Sequence, residues 1–319
     1  MADPVDPTLQ QIGEFSVIDR LIAGRRRPAG VAVGPGDDAA VLDAADGRVA
    51  VSTDMLIEGR HFRLDWSAPH DVGRKAIAQN AADIEAMGAA VTGFVVGVGA
   101  PVDTPAFRVT ELSDGMWAEA DEVGAGIVGG DLVASPQWVL SVTALGDLGG
   151  RDPVLRGGAR AGSLIAVAGD LGRSAAGFGL WRNGIAGFED LRRRHLVPRP
   201  PYGQGRTAAE AGAQAMIDVS DGLVADLGHI AVASGVVMDL RRAALLEDVE
   251  AVTPAAEAAG AEPWSLVLGG GEDHALVACF PDHPPHGWRV IGAVRSGAPE
   301  VLLDGVRWPG PAGWQSFGT

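Results

Sequence analysis

The stretch at residues 34–62 limits the fold most, because glycine, proline and aspartate there interrupt short apolar runs. The Gly-Pro-Gly run at residues 34–36 excludes a helix, so the two aspartates that follow lie on a turn. Residues 49–53 predict a strand with Asp54 at its carboxyl end. Two strand ends would then present carboxylates near one point, and hard cations such as Mg²⁺ prefer oxygen ligands of this kind. Taken alone, an Asp-rich stretch also fits ordinary turn chemistry, because aspartate stabilises turns by itself.

Composition indicates a globular chain with room for two domains. The 319 residues are 47% hydrophobic and 21% charged, which excludes a disordered protein. A net charge of -16 argues against nucleic acid as a partner, because phosphate backbones attract basic surfaces. The N-terminal residues carry no apolar signal-peptide core, and no apolar run approaches the ~18 residues of a membrane span. We therefore expect a cytoplasmic protein that binds neither nucleic acid nor membranes.

The chain contains one cysteine, Cys279, within an apolar segment at residues 275–280. A single cysteine excludes an intrachain disulfide and a zinc knuckle. The apolar setting predicts a buried thiol and not a nucleophile.

Apolar periodicity predicts alternating helices and strands. In the first half this alternation indicates an α/β or α+β fold, and the Gly-, Arg- and Asp-rich segment at residues 146–162 predicts a boundary near Gly149. We therefore divide the chain into an N-terminal domain, residues 1–149, and a C-terminal domain, residues 150–319. The basic run at residues 192–195 is typical of a solvated helix end. Predicted helices cover residues 14–23, 72–88, 105–123 and 173–181, with another beginning near Asp221, and predicted strands cover residues 92–98, 126–131, 138–145, 163–168, 216–219, 275–280, 289–294 and 300–303.

A second motif places Asp218, Ser220 and Asp221 at a predicted strand-to-helix turn. The amides at a helix N-terminus favour phosphate oxygens, which makes this turn a candidate nucleotide site. Ser220 and Asp221 would equally suit a simple helix cap. Asp83 follows Asn80 by three residues on a predicted helix, at the edge of its apolar face, where a carboxylate needs a partner.

Acidic residues recur at predicted strand ends and glycine turns in five separate segments. Mutual repulsion would destabilise such a cluster unless several Mg²⁺ ions neutralise it and bridge to phosphates. The sole lysine, Lys75, lies between Arg74 and Ala76, which excludes a Walker A loop. The protein-kinase and dinucleotide-binding motifs are missing as well. The acidic positions are Asp37, Asp38, Asp54, Asp83, Asp131, Asp218 and Asp221.

In order and spacing these motifs are similar to those of the thiamine-monophosphate kinases, a family within the aminoimidazole-ribonucleotide-synthetase-like superfamily. The resemblance covers nearly the whole chain, and the shared order of the motifs makes it specific. The matching segments are Glu14-Phe15, Gly36-Asp37-Asp38-Ala39-Ala40, Ser52-Thr53-Asp54 through His61-Phe62, Asn80-Ala81-Ala82-Asp83-Ile84, Met87-Gly88-Ala89, Gly129-Gly130-Asp131, residues 217–223, Asp226-Leu227-Gly228-His229-Ile230 and Gly270-Gly271-Glu272-Asp273.

The resemblance implies an enzyme that phosphorylates thiamine monophosphate to thiamine diphosphate with ATP and Mg²⁺. It also implies an N-terminal mixed sheet with helices that pairs across a homodimer, and a C-terminal α/β domain that closes the active-site cleft. The accepting phosphate oxygen is already anionic, so no catalytic base is expected. The thiazolium ring is a cation, which a carboxylate or an aromatic face could hold. The implied metal ligands are Asp38, Ser52, Thr53, Asp54, Asp83, Asp131, Asp218 and Asp221; the residues implied to touch ATP are Gly130, Asp131, Arg151 and Ser220; those implied to face the thiamine phosphate are His61, Glu272 and Trp314.

The chain departs from the family at two places, and two rival interpretations stay open. The family usually has a tyrosine and an acidic residue where this chain has His274 and Ala275, and Arg60 precedes His61 where a smaller residue is commoner. A purine-biosynthetic synthetase is the nearest rival within the superfamily, although residues 52–62 match the kinases better. The other rival is a non-catalytic metal- or nucleotide-binding relative, but every acidic motif position is retained.

Overall fold

The computed structural model describes residues 7–26, 28–35 and 39–314, apart from the side chains of Glu14 and Phe15. Within these ranges no helix is both long enough and apolar enough to cross a membrane. The helices are α1 (Leu9–Ile12), α2 (Glu14–Ile22), α3 (Pro69–Ala86), α4 (Ala106–Glu122), α5 (Arg173–Arg182), α6 (Glu189–Leu196), α7 (Gln204–Glu210), α8 (Leu223–Ser234), α9 (Leu246–Ala259) and α10 (Pro263–Gly269), with a 3₁₀ turn at Arg242–Ala244. The strands are β1 (Val31–Val33), β2 (Val41–Leu42), β3 (Ala50–Ile57), β4 (Ala90–Ala100), β5 (Ile127–Ala134), β6 (Val139–Asp147), β7 (Leu164–Ala168), β8 (Ala215–Asp218), β9 (Val237–Leu240), β10 (Leu276–Phe280), β11 (Arg289–Arg295), β12 (Glu300–Leu303) and β13 (Val306–Arg307).

The chain forms two compact units. Unit 1 consists of Met1–Ile84 and Val91–Gly150, and unit 2 consists of Glu85–Ala90 and Arg151–Thr319, within the described ranges. The end of α3 and the residues that follow it thus belong to unit 2, and the chain returns to unit 1 near the start of β4.

Unit 1 is built on a four-stranded mixed sheet with the strand order β3-β6-β4-β5. β3 and β6 are antiparallel, whereas β4 and β5 are parallel. Burial alternates along β6, and Leu56, Leu140 and Val142 are fully buried on one face of the sheet. This alternation is what a sheet with one face against helices requires.

Helices α3 and α4 of unit 1 pack closely together because glycines lie at their contact. A Cβ at Gly73 would collide with the carbonyl oxygen of Leu112, and a Cβ at Gly115 would collide with that of His70. Small and branched apolar residues recur at helical spacing on α3, which gives it a continuous buried face.

The outer face of the unit 1 sheet carries large apolar side chains that the unit leaves exposed. Val51 and Met55 on β3 are 61% and 53% exposed, and Val133 on β5 is 53% exposed. Thr53 lies between the first two on the same side of β3, since side chains two residues apart share a face. Exposed apolar side chains grouped on one sheet face are typical of an interaction surface.

Unit 2 is built on a seven-stranded mixed sheet with the order β13-β12-β9-β11-β7-β10-β8. β8, β9 and β10 are buried along their whole lengths, so their sequences are mostly continuous apolar runs. Apolar clusters on the two faces include Ile165 and Ile217 on one side and Met216 and Phe280 on the other. Cys279 is buried in β10, and burial raises the pKa of its thiol to about 12. The prediction of a buried thiol is confirmed.

Two strand ends and one helix end differ from the predictions in ways that change the setting of candidate residues. β3 and β5 both continue past their aspartates, so Asp54 and Asp131 lie inside strands and not at carboxyl ends. The strands continue because their partners do, and pairing with a distant strand outweighs the local preference of a polar residue. The basic run at residues 192–195 lies at the end of α6, but its last residue, His195, is buried and not solvated.

Candidate active site

Three of the predicted metal ligands in unit 1 lie between β3 and α3. Ser52 and Asp54 project from the helix-facing side of β3, and Asp83 projects from α3. Ser52 Oγ donates a hydrogen bond to Asp83 Oδ2 at 2.6 Å. The partner that a half-buried Asp83 requires is therefore the hydroxyl group of Ser52.

Two amide side chains of α3 hold Asp54. Asn80 is fully buried, its Oδ1 accepts from the backbone N–H of Asp54 at 3.1 Å, and its Nδ2 donates to the carbonyl oxygen of Ala76 at 2.8 Å. Gln79 Nε2 donates to Asp54 Oδ2 at 3.2 Å. Helix α3 therefore orients both the backbone and the carboxylate of Asp54.

The side chain of Thr53 points away from this group, because successive residues of a strand face opposite sides of the sheet. Thr53 Oγ1 donates to the carbonyl oxygen of Val142 at 3.0 Å and accepts from Thr143 Oγ1 at 3.1 Å. The hydroxyl group is thus bonded within the sheet. The predicted trio of Ser52, Thr53 and Asp54 is divided between the two faces.

Asp131 lies on the outer face of the sheet, on the same side as the exposed Met55. It pairs with Gly97, and a Cβ at Gly97 would lie 3.8 Å from Ser141 Cβ. Ser141 pairs in turn with Met55. Because paired residues face the same side, unit 1 by itself keeps Asp131 apart from Asp54.

Gly130 has to be glycine because its backbone lies against β4. A Cβ there would collide with the carbonyl oxygen of Val96. Gly130 and Asp131 are both exposed. β5 therefore offers bare backbone beside a carboxylate, an arrangement that suits a phosphate bridged by a metal ion.

His61 lies in a turn after β3 that a buried lysine supports. Its Nδ1 accepts from the backbone N–H of Ile57 at 3.0 Å. Lys75, the sole lysine in the sequence, is 2% exposed, and its Nζ donates to the carbonyl oxygen of His61 at 3.0 Å. Lys75 and Ile57 thus hold the turn that presents the exposed imidazole ring of His61.

In unit 2 the turn between β8 and α8 carries Asp218 and Asp221. Asp226 Oδ2 accepts from the backbone N–H groups of Asp221 at 3.1 Å and Gly222 at 2.9 Å. This carboxylate satisfies the start of α8, so Ser220 and Asp221 are not needed as caps. Burial raises the pKa of Asp226 to about 7, and burial followed by the charge of Asp218 raises the pKa of Asp221. Carboxylates crowded in this way favour a nearby cation.

Asp218 is buried at the end of β8 and bonds to the residue at which the chain departs from the family. His274 Nδ1 lies 3.2 Å from Asp218 Oδ2. The backbone N–H of His274 also donates to the carbonyl oxygen of Val219 at 2.9 Å. The histidine that replaces the usual tyrosine therefore contacts a predicted metal ligand directly.

The Gly-Gly-Glu-Asp loop has an unusual backbone. Glu272 and His274 have φ angles of 63° and 53°, a conformation that costs side-chain-bearing residues about 1–3 kcal/mol. The backbone N–H of Glu272 donates to the carbonyl oxygen of Ser220 at 2.8 Å, and a Cβ at Gly271 would lie 2.5 Å from the same oxygen. The strain accompanies the close approach that places Glu272 beside the Asp221 turn.

Asp273 turns inward and caps α5. Its carboxylate oxygens accept from the backbone N–H groups of Gly172 at 2.5 Å and Ser174 at 2.8 Å. Burial raises the pKa of Asp273 to about 7, although the two amide hydrogen bonds act in the opposite direction. The two acidic residues of the motif thus differ, because Glu272 is partly exposed and Asp273 fixes the loop to the start of α5.

Trp314 lies beside the same turn. Its backbone N–H donates to the carbonyl oxygen of Asp221 at 3.0 Å, and its side chain is 66% exposed. An exposed aromatic ring next to a carboxylate turn is suited to stacking on a cationic ring.

Arg151 lines a cavity of about 430 Å³ in unit 2, together with Val154, Leu155 and Gln214 among others. The Arg151 guanidinium lies 3.6 Å from Glu210 Oε1. A cavity of this size with mixed polar and apolar walls is adequate for part of a nucleotide.

The donors available to a metal ion are oxygen atoms. Two carboxylates and a hydroxyl group lie on the helix-facing side of the unit 1 sheet, one carboxylate lies on its outer face, and two carboxylates lie in unit 2. The predicted ligand Asp38 lies outside the described residues. Among the residues that are described, no group of three or more His, Cys, Asp or Glu is assembled around one point. Mg²⁺ commonly binds through one or two carboxylates together with substrate phosphates and water. The donor set therefore fits an ion that is held jointly by the protein and a nucleotide.

Comparison with known proteins decides the family. A family model described as AIR synthase related protein, N-terminal domain, matches residues 36–148. Thiamine-monophosphate kinase of Mycobacterium tuberculosis (strain ATCC 25618 / H37Rv) is 68% identical over 312 residues, which cover 98% of this chain and 94% of that protein. The chain belongs to the thiamine-monophosphate kinase family. The Corynebacterium glutamicum member is 42% identical over 322 residues, 98% of this chain and 95% of that protein.

A solved structure supports the same assignment for the fold. AaThiL, complexed with AMPPCP and TMP, matches 98% of this chain and 100% of its own with a TM-score of 0.76 at 29% identity. The predicted family is therefore confirmed, and so is the predicted fold, a mixed sheet with helices in the N-terminal part followed by an α/β C-terminal part.

The sequence did not predict several residues that hold the candidate site residues of this chain in position. Lys75, Gln79 and Asp226 each donate to or accept from the backbone or side chain of a predicted site residue. The sequence feature that could have identified them is a polar residue among the apolar residues of a helix, because a polar side chain that is buried needs a hydrogen-bond partner.

Proposed function

We propose that this chain transfers the terminal phosphoryl group of ATP to the phosphate of thiamine monophosphate, which yields thiamine diphosphate and ADP. The observation that carries the proposal is the 68% identity, over 98% of the chain, to a protein named thiamine-monophosphate kinase. The complex of AaThiL with AMPPCP and TMP supports the assignment of both substrates, since AMPPCP is an analogue of ATP.

The chemistry needs positioning and charge neutralisation more than proton transfer. An anionic oxygen of thiamine monophosphate forms a bond to the γ-phosphorus of ATP, and the bond from that phosphorus to the bridging oxygen of ADP breaks. Because the attacking oxygen carries no proton, no side chain has to act as a base. The residues that hold Asp54 and Asp221 in place contribute by fixing the geometry before the substrates arrive.

We assign Mg²⁺ to the two groups of carboxylates. Ser52, Asp54 and Asp83 would hold ions in unit 1, and Asp218 and Asp221 would hold ions in unit 2. Bound Mg²⁺ would neutralise the phosphate charge that these carboxylates would otherwise repel. Asp38 would complete the unit 1 group, whereas Thr53 and Asp131 lie on the outer face of the sheet and would contact a metal ion only there.

Calorimetric titration with ATP tests the assignment of Mg²⁺. ATP should bind with Mg²⁺ present, and its affinity should fall sharply in excess EDTA, because no P-loop lysine replaces the metal. Undiminished affinity in EDTA would contradict a metal bridge between the carboxylates and the phosphates.

We further propose that His61, Glu272 and Trp314 face thiamine monophosphate. Glu272 and Trp314 are supported by their contacts, because their backbone N–H groups donate to the carbonyl oxygens of Ser220 and Asp221. Two predicted substrate residues are therefore attached to the turn that carries predicted phosphate and metal ligands. The residues proposed to touch ATP are Gly130, Asp131, Arg151 and Ser220.

The outer face of the unit 1 sheet supports a homodimer. Val51, Met55 and Val133 are large apolar side chains exposed on this face. Light scattering after gel filtration should give the mass of a dimer, and Met55→Lys should give a monomer. Val306→Lys is the matched control, because Val306 is 68% exposed but lies on β13 in unit 2.

The proposal assigns a role to each predicted domain. Residues 1–149 would bind ATP and Mg²⁺ and form the dimer, and residues 150–319 would close the active-site cleft. The use of ATP as co-substrate is consistent with a cytoplasmic enzyme.

Incubation of the purified chain with ATP, Mg²⁺ and thiamine monophosphate tests the activity. Equal amounts of thiamine diphosphate and ADP should form, and omission of thiamine monophosphate should abolish ADP formation. ADP formation without thiamine diphosphate would refute the proposed acceptor and favour another reaction of the superfamily.

A further inference from the structure

A buried histidine lies behind Glu272. His195 on α6 is 7% exposed, and its Nδ1 lies 3.4 Å from Glu272 Oε2 and 3.3 Å from Ser174 Oγ. The imidazole ring also packs at a tilt against Phe178, with ring centroids 5.3 Å apart. His195 thus joins the first turn of α5 to the Gly-Gly-Glu-Asp loop.

The chemistry of the two oxygen atoms, Glu272 Oε2 and Ser174 Oγ, determines which atom donates the hydrogen in this contact. A carboxylate oxygen only accepts hydrogen bonds, whereas a serine hydroxyl can accept as well as donate. The hydrogen therefore resides on His195 Nδ1 when it bonds to Glu272, and Ser174 Oγ serves as the second acceptor. One oxygen of Glu272 is held by this contact, while its side chain remains 35% exposed.

The surroundings keep His195 in place. A Cβ at Gly177 on α5 would collide with the carbonyl oxygen of Leu191 and would lie 3.0 Å from His195 Cβ, so α5 and α6 are in close contact. Ser174 is fixed as well, because its backbone N–H donates to Asp273. Asp273 is therefore bonded directly to the first turn of α5, and Glu272 is linked to the same turn through His195.

We propose that His195 is a positioning residue for Glu272, which orients the carboxylate toward the cationic thiazolium ring of thiamine monophosphate. The inference rests on the proposed function, because it assumes that Glu272 faces this substrate. The contact with His195 restricts the rotamers of the Glu272 side chain before the substrate binds, so its removal should weaken binding of the cationic ring.

Steady-state kinetics of three His195 variants test the proposal. His195→Leu removes the donor, His195→Gln keeps a polar side chain but places its amide near the position of Nε2, and His195→Asn places an amide N–H near the position of Nδ1. The Leu and Gln variants should raise the KM for thiamine monophosphate about tenfold, the size expected when a charged group loses one hydrogen bond. The KM for ATP should hold, and the Asn variant should retain the wild-type KM for both substrates.

A double-mutant cycle with Glu272→Gln separates positioning from packing. In the wild type this substitution should raise the KM for thiamine monophosphate, and in the His195→Leu background it should have much less effect, because the carboxylate is already misplaced. Fully additive effects, equal losses in the Asn and Leu variants, or a parallel rise in both KM values would overturn the positioning role.

The wild-type reaction distinguishes failure of the inference from failure of the proposed function. If the wild type forms no thiamine diphosphate, the proposed function is refuted and the inference with it. If the wild type forms thiamine diphosphate and His195→Gln leaves its KM for thiamine monophosphate unchanged, only the inference is refuted. His195→Gln conserves polarity, so it keeps the test available should His195→Leu fail to fold.

Discussion

The stability of this protein should depend on pH through the buried carboxyl group of Asp273. This group accepts hydrogen bonds from the backbone N–H groups of Gly172 and Ser174, and the residue is 8% exposed. Burial raises the pKa of Asp273 from 3.8 to about 7. Over the interval between these two values, the native state retains a proton that the unfolded chain has released.

The sign of the effect follows from this difference in proton binding. Because the native state binds more protons, its stability falls as pH rises through the interval, and the contribution of Asp273 is fully present below 3.8 and lost above about 7. From about pH 5 to about pH 8 the change spans about 2 pKa units, or about 3 kcal/mol of unfolding free energy. Asp273→Asn cannot titrate, so wild type should lose about 3 kcal/mol relative to this variant over that range.

Urea unfolding, followed by circular dichroism at several pH values, measures this difference. Glu210→Gln is the matched control in unit 2, because Glu210 is exposed and its bond to Arg206 lowers its pKa from an ordinary value of 4.5. Glu210 is therefore mostly ionised in both states across this range, and its stability difference from wild type should change only slightly. A flat difference for Asp273→Asn, or one that grows toward low pH, would refute the reasoning.

Three further predictions concern the turn around Asp221. Asp218→Asn and Asp221→Asn should each lower kcat by orders of magnitude while circular dichroism and melting temperature stay near wild type; retained turnover per folded molecule would contradict metal ligation. Trp314→Ala should raise the KM for thiamine monophosphate about tenfold without changing that for ATP, and Trp314→Phe should restore most of the loss, since a stacking face remains. Gly271→Ala should lower stability by about 1–3 kcal/mol in a denaturant titration, because its Cβ would lie 2.5 Å from the carbonyl oxygen of Ser220.

Much of the fold follows from local patterns. The helix predicted over residues 72–88 is α3 at Pro69–Ala86, and the strand predicted over residues 300–303 is β12 at Glu300–Leu303. Apolar periodicity reports these elements because it reflects which face of each must be buried. Strand ends were predicted less well, since the length of β3 depends on how far β6 continues beside it.

The candidate site was predicted in its members but not in its arrangement. Asp83 was expected to need a partner, yet only the fold supplies Ser52 as that partner. Ser220 and Asp221 were equally suited to capping, and the structure gives that role to Asp226, four residues beyond Gly222. Consecutive positions in the sequence carry no information about which buried donor lies opposite them.

The sequence by itself determined the family, the alternation of helices and strands, and the acidic residues that suit a metal-bridged phosphate. These features are local, because turn chemistry, periodicity and motif spacing are properties of neighbouring residues. Only the tertiary structure decided that Asp131 faces away from Asp54, and that His195, Lys75 and Asp226 support the site. Those decisions depend on strand register and helix packing, where a pairing shift of one residue moves a side chain to the opposite face.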